Sequence, residues 1–152
     1  MVYKKLWPFV VLVILILTLL IVKVSLKNHK EILWGVVSLG GEDFQVEIVS
    51  SPQDMYNGLS RREELCVNCG MLFTFSDLEL RTFSMRDMEF PLDIIFIKDN
   101  EIVKIYNNLQ AEGDALGEKY SSVKPINHVL EINAGKSDAL GIKAGDKIEI
   151  LN

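Results

Sequence analysis

The sequence predicts an all-β domain, mostly β with one or two short helices. It should form a compact sandwich or barrel, preceded by a single transmembrane helix. Three observations carry this reading. Residues 6–22 are apolar apart from Thr18. From Ile32 onward, seven or eight short β-rich segments follow one another, separated by Gly, Asn and Asp turn clusters. The charge divides in the same place. Residues 1–27 hold four Lys and no acid, while the rest of the 152-residue chain holds all 21 acids and 12 of the 16 bases, a net charge of −9. The mean hydropathy of +0.21 thus averages two unlike parts.

The leader comes first. Its seventeen-residue apolar run (Leu6 to Val22) would span roughly 26 Å as a helix, close to a thin hydrocarbon core. A cleaved signal has a shorter apolar region and a small-x-small site. Here Lys23-Val24-Ser25-Leu26-Lys27 follows, without Ala or Gly. The expectation is a retained anchor over 1–27, contacting the membrane through residues 6–22, then a tether at 28–31 and one β-rich domain over 32–152. The short charged start feeding directly into the apolar run puts the N-terminus in the cytoplasm. The expected location is the cell membrane, single-pass, with the domain extracytoplasmic.

Within the domain, Ile32 to Leu39 is β-rich, Gly40-Gly41-Glu42-Asp43 turns, and Phe44, Val46 and Ile48 alternate with Gln45 and Glu47. That alternation is the mark of a half-buried strand, so a hairpin is expected. Ser51 reads as an N-cap, with Pro52 at the first helical position, Asp54 in the first turn and Gly58 at the end of about two turns. Arg61 to Glu64 is charged and reads as exposed. Strands are expected over Gly70 to Phe75 and Arg81 to Met85. A hairpin should join Ile94–Ile97 to Ile102–Tyr106. Asn107 to Ser122 reads as a polar loop, His128 to Ile132 as a strand, Lys136 to Leu140 as one helical turn, and Lys147 to Leu151 as a closing strand.

Four stretches carry a family resemblance. They are Gly58 to Leu65 (GLSRREEL), Gly70 to Phe75 (GMLFTF), Phe83 to Phe96 (FSMRDMEFPLDIIF) and Val129 to Gly135 (VLEINAG). In this order they resemble the family known as domain of unknown function 192, over about residues 44–150. The resemblance implies a compact, mostly β domain, often behind a signal or anchor, and implies no reaction. The sequence departs from the family's pattern at Ser60, where Met is usual, at Ser84, where Trp is usual, and at Asp87-Met88, where Asn-Thr is usual. The Cys pair also lies outside that pattern.

Asp93 is the most informative single residue, because Phe90 to Ile97 is otherwise apolar. A buried carboxylate must be paired or hydrogen-bonded. Either it braces the Pro91 turn, by accepting backbone N–H groups or pairing with an Arg, or it is a tuned acid or base in a cleft. Arg62 and Arg86 are its candidate partners, since a guanidinium fork suits a carboxylate. Asp87, Glu89 and Asp93 could instead converge for acid–base work or a hard cation, provided Pro91 does not break the strand register. Arg62, Ser84, Arg86, Asp87 and Asp93 are the candidate ligand-binding residues.

Cys66 and Cys69 read as a disulfide outside the cytoplasm, one that shapes a turn. A redox role would need a helix after the pair, and a strand follows. A zinc site would need two more ligands, and His29 and His128 are poorly placed. No metal or cofactor is expected. The acidic domain argues against nucleic acid. No catalytic constellation stands out, so the leading expectation is a binding or accessory module at the cell envelope, with a small ligand or envelope protein as partner. The alternatives are a hydrolase-like enzyme using Asp93 with Arg62 or Arg86 and, more weakly, a thiol–disulfide redox partner through Cys66 and Cys69.

Overall fold

The computed structural model describes residues 3–27, 32–112 and 117–151, and within the first of these the side chains of 7–23. The expected tether at 28–31, with His29, lies outside the described residues. The chain divides into two units, Met1–Ile32 and Leu33–Asn152. The first holds α1 (Tyr3–Lys27), whose described apolar side chains, from Trp7 to Val22, are exposed. Among the described residues no helix is long and apolar enough to cross a membrane.

The second unit is mostly β. In chain order it contains β1 (Leu33–Leu39), β2 (Glu42–Val49), α2 (Pro52–Asn57), β3 (Cys69–Glu79), β4 (Thr82–Phe83) and β5 (Leu92–Lys98). There follow β6 (Glu101–Leu109), β7 (Tyr120–Ser121), β8 (Ile126–Asn133), α3 (Lys136–Ala139) and β9 (Glu149–Leu151). Seven strands form one sheet in the order β6-β5-β8-β3-β2-β1-β9, and β4 pairs with β7 in a separate ribbon. Neighbours in the sheet are antiparallel except β2 and β3, which run parallel. A parallel pair requires a crossover, and here α2 and the residues after it provide one.

Local chemistry explains several elements. Gly40 and Gly41, at φ 59° and 84°, make the two-residue turn of the β1–β2 hairpin, a conformation that favours Gly. Ser51 caps α2: its hydroxyl oxygen accepts the Asp54 N–H at 3.2 Å, Pro52 opens the helix and Gly58 ends it. Other expectations are redrawn. The expected strand at 81–85 contracts to Thr82–Phe83, and the expected loop at 107–122 contains the end of β6 and all of β7.

The sheet curls into a half-barrel. The start of β6 meets the segment entering β9 through Gly145 N–H to Ile102 O (2.8 Å), Ile102 N–H to Asp146 O (3.0 Å) and Ile148 N–H to Asn100 O (3.0 Å). Ile102 and Ile148, from opposite ends of the sheet, therefore share one core with Val37, Phe44, Leu130 and Ile132 inside the curl. The other face carries Met71, Phe73, Ile94, Phe96 and Val129, and it is buried too, under Leu59, Met85, Met88 and Tyr120. This corrects the expectation for Glu47, whose alternation assigned it to solvent. Residues after α2 cover that face, and Glu47 is buried.

Asp93 lies inside the curl with no exposed surface. Its Oδ1 accepts the N–H groups of Asn108 (2.7 Å) and Gly135 (2.9 Å), and its Oδ2 accepts that of Ser137 (2.8 Å). Asn108 and Gly135 sit at φ 54° and 79°, so two backbone positions in the left-handed region are held by one carboxylate. Gly135, which precedes α3, has no side chain to cap the helix, and Asp93 does so from β5. Asp93→Asn would place an amide donor against one of these N–H groups. We expect it to lower unfolding free energy by about 2–4 kcal/mol in urea titrations, and stability equal to wild type would remove the brace from the account.

Candidate functional site

Strand β8 lies between β3 and β5 and alternates between the two faces. Leu130 and Ile132 point into the curl, whereas Val129 and Glu131 share the outer face. Register places Glu131 opposite Met71 on one side and Ile94 on the other, with Glu47 beyond Met71. Gly70 permits this close packing: a Cβ there would lie 2.8 Å from the Glu131 carbonyl oxygen.

Above this row is a cavity of about 650 Å³, between α2, β3 and the segment around β4. Its walls include the aromatic side chains of Tyr56, Phe73, Phe75 and Phe83, and Glu131 reaches into it. Glu131 is only 5 % exposed, and among the described residues its carboxyl group makes no hydrogen bond. Burial pushes its pKa up to about 8, with the Arg62 guanidinium pulling the other way. At neutral pH it mostly keeps its proton and presents both a donor and an acceptor.

Arg62 is engaged elsewhere. It makes a bidentate pair with Glu47, with Nη2 donating to Oε2 at 2.8 Å and Nη1 to Oε1. That hydrogen bonding, opposed by burial, raises its pKa. Arg86 lies over the Tyr56 ring, 4.4 Å from its centroid, and donates to the Tyr56 hydroxyl at 2.7 Å. It faces Asp87 at 3.7 Å. Arg81 lies 4.1 Å from the centroid of Phe75, paired with Asp77 and, at 3.6 Å, with Glu79.

The sequence-derived candidates therefore separate. Asp93 is on the opposite face of the sheet from this cavity and is bonded by backbone N–H groups, so the expected pairing with Arg62 or Arg86 is not formed. Arg86 and Ser84 line the cavity, as does Ser60, so two positions that depart from the family pattern fall in one place. Asp87 occupies a tight turn at φ 56°, half-buried, with Arg61 3.5 Å away. Glu89 is exposed while Asp93 is inside the curl, so those carboxylates do not converge. Among the described residues no group of three or more His, Cys, Asp or Glu could hold a metal ion. Cys66 and Cys69 are joined in a disulfide with Cα atoms 5.1 Å apart, and Cys69 opens β3. His128 is half-buried on β8, and burial lowers its pKa. Glu131 is the residue that sequence reasoning missed. The signal was present, an acid among Val129, Leu130 and Ile132, and it is the same signal that marked Asp93.

The profile of the DUF192 family, described as an uncharacterized ACR, matches residues 35–150. No curated protein matches the chain in sequence. Two solved structures are similar. One, from Sinorhizobium meliloti 1021, is described as a candidate transcription regulator. It has a TM-score of 0.72 and 29% identity, over 81% of this chain and 98% of that one. The other is a protein of unknown function from Novosphingobium aromaticivorans, with a TM-score of 0.70 and 33% identity, over 80% of this chain and 87% of that one.

The pKa of Glu131 has a consequence for stability. Its carboxyl group is raised in the folded state, so the native protein holds a proton that the unfolded chain releases between its ordinary value of 4.5 and about 8. Stability from this group therefore falls as pH rises through that window. Glu131→Gln keeps the shape and removes the titration. Between about pH 5 and pH 8 the wild type should lose a few kcal/mol more unfolding free energy than the variant. Coincident pH profiles would show that Glu131 does not titrate there.

Proposed function

The chain belongs to the DUF192 family, and from that premise we propose that its β domain is a binding module that seats a small ligand in the cavity over Glu131. One observation carries this reading: a cavity of about 650 Å³ is lined by Arg81 and by the Glu131 carboxyl group, and neither the buried Arg81 Nε nor that carboxyl group has a hydrogen-bond partner among the described residues. Leaving a buried donor such as Arg81 Nε unsatisfied costs free energy, and a ligand that bonds it recovers that cost. The volume and the mixture of aromatic walls with few polar groups suit a small molecule. The description of the Sinorhizobium protein as a candidate transcription regulator is not carried over, because a domain with a net charge of −9 repels a phosphate backbone.

We propose also that residues 1–27 hold the domain at the membrane, on its extracytoplasmic side. The described apolar side chains of α1, from Trp7 to Val22, are exposed. Its one polar interruption, Thr18, donates its hydroxyl to the Leu15 carbonyl at 2.9 Å and so satisfies itself within the helix. Lys4 and Lys5 precede the apolar run, and Lys23 and Lys27 follow it.

Two experiments test these readings. A thermal-shift screen of the full chain in detergent should find compounds that raise Tm with concentration, and Ser84→Trp, which fills the cavity, should abolish their effect. Hits indifferent to Ser84→Trp would place binding elsewhere and overturn the assignment. After an alkaline carbonate wash, the full chain should stay with the membrane pellet and a chain lacking residues 1–27 should not. Release of the full chain would overturn the anchor.

A further inference from the structure

The chain leaves two polar groups open on the cavity wall. The first belongs to Arg81. Its Nη2 pairs with Asp77, its Nη1 faces Glu79 at 3.6 Å, and its planar end lies over the Phe75 ring. Its Nε is buried and has no hydrogen-bond partner among the described residues. Two carboxylates already balance the charge, so this guanidinium is short of an acceptor and not of an anion. The second is the Glu131 carboxyl group, 5 % exposed and without a hydrogen bond among the described residues. Mostly protonated at neutral pH, it offers a donor and an acceptor together. Phe73 and Phe83 meet edge to face, with ring centroids 4.9 Å apart, and both line the same cavity.

Given that the cavity is a ligand site, we propose that its ligand is a neutral carboxamide, with its carbonyl oxygen on the Arg81 Nε–H, its N–H on the Glu131 carboxyl group and its apolar body against Phe73 and Phe83. An amide carries a strong acceptor and a strong donor side by side, without a net charge. An ammonium has no acceptor for Arg81. A carboxylate has no donor, and it would add a charge where Arg81 and Arg86 each already face an acid. Burying an unbalanced charge costs far more than burying an amide whose hydrogen bonds are made. Arg81 also borders a smaller cavity of about 300 Å³, which Glu131 does not line, so the larger cavity is where a ligand meets both groups.

Both groups are held in place. The Arg81 backbone N–H donates to the Ser122 hydroxyl oxygen at 3.1 Å, and its carbonyl accepts the Ser122 N–H at 2.9 Å. With the backbone tied to the β7 segment and the guanidinium tied to Asp77 and Phe75, Nε cannot turn toward another acceptor without breaking these contacts. Glu131 is fixed by the register of β8 between Met71 and Ile94. Neighbouring polar groups on the wall are already used. The Ser60 hydroxyl donates to the Arg86 carbonyl at 3.2 Å, and the Tyr56 hydroxyl accepts from Arg86 at 2.7 Å. Open groups that are already fixed spare a ligand the cost of ordering them.

Benzamide, acetophenone, benzoate and benzylammonium share one ring and differ in the group it carries, so calorimetry on the full chain at pH 7 tests the proposal directly. Benzamide should bind about tenfold more tightly than acetophenone, which has the carbonyl without the N–H, and both ions should bind more weakly than benzamide. Glu131→Gln keeps a neutral donor and acceptor, so benzamide should stay within about threefold of wild type. Glu131→Leu should bring benzamide down to the level of acetophenone. Arg81→Lys keeps a cation for Asp77 and Glu79 but removes Nε, and it should weaken benzamide and acetophenone alike, by about tenfold. The wild-type ranking needs no variant to fold. Either ion as the tightest ligand, benzamide no tighter than acetophenone, or affinities untouched by Arg81→Lys would overturn the carboxamide assignment. If none of the four binds, while other compounds give shifts that Ser84→Trp abolishes, the carboxamide assignment fails and the cavity remains a ligand site. If those shifts are absent too, both readings fail.

Discussion

The Asp93 carboxylate collects three backbone N–H groups from two other parts of the chain, and the closure of the half-barrel depends on that collection. Asn108, near the end of β6, and Gly135, just after β8, both leave the extended conformation with φ positive. Their N–H groups are lost to the regular ladder and need an acceptor inside the fold. Asp93 is that acceptor. It fixes where β6 ends and how β8 turns into α3. The chain then carries Ile142 and Ile148 to the inner core, where they meet Ile102 from the far end of the sheet. A hydrophobic side chain at Asp93 would take the acceptor from three N–H donors, of which that of Ser137 is fully buried and those of Asn108 and Gly135 are partly so.

Asp93 and Glu131 make an instructive pair. They sit one step apart in register on adjacent strands, with Asp93 opposite Ile132 and Ile94 opposite Glu131. Alternation sends one into the curl and the other to the cavity. Both are buried carboxyl groups among aliphatic neighbours, yet one receives three hydrogen bonds and the other none among the described residues. Supplied with donors, a carboxylate can stay charged away from water. Without them the cheaper course is to keep its proton. Arg62 could have ionised Glu131 by pairing with it. The Glu47 carboxylate takes both ends of its guanidinium fork, and only a through-space attraction remains.

These outcomes mark how far sequence reaches. The cap of α2 was legible because Ser51, Pro52, Asp54 and Gly58 act within a single turn, and the β1–β2 and β5–β6 hairpins were legible because their turns are local. The parallel pairing of β2 with β3 was not, since it is set across a crossover. The choice between sandwich and barrel was not either, because it rests on a few backbone bonds between residues 100–102 and 145–148. Glu47 was misread because strict alternation implies a solvent face only where one face stays uncovered. Asp93 was legible as a buried acid, while its role lay with Asn108, Gly135 and Ser137, which are distant in sequence. Glu131 carried the same mark within β8, and only the fold shows that its face holds a cavity.

What keeps that cavity open is the placement of the cations around it. Arginine is long enough to fold inward and neutralise a lone buried acid. Here Arg86 is held by the Tyr56 ring and hydroxyl and faces Asp87, and Arg81 is held by the Phe75 ring together with Asp77 and Glu79. Planar stacking combined with a carboxylate partner fixes a guanidinium better than either alone. Small side chains at Ser60 and Ser84 leave the volume unfilled. The buried Glu47 and the more exposed acids thus act at one remove: by pairing with Arg62, Arg81 and Arg86 they leave Glu131 without an ion-pair partner among the described residues, and it mostly keeps its proton at neutral pH. Arg81 is still only partly satisfied, since its buried Nε has no hydrogen-bond partner among the described residues, so the wall carries two polar groups, this donor and the Glu131 carboxyl, that the chain itself leaves open.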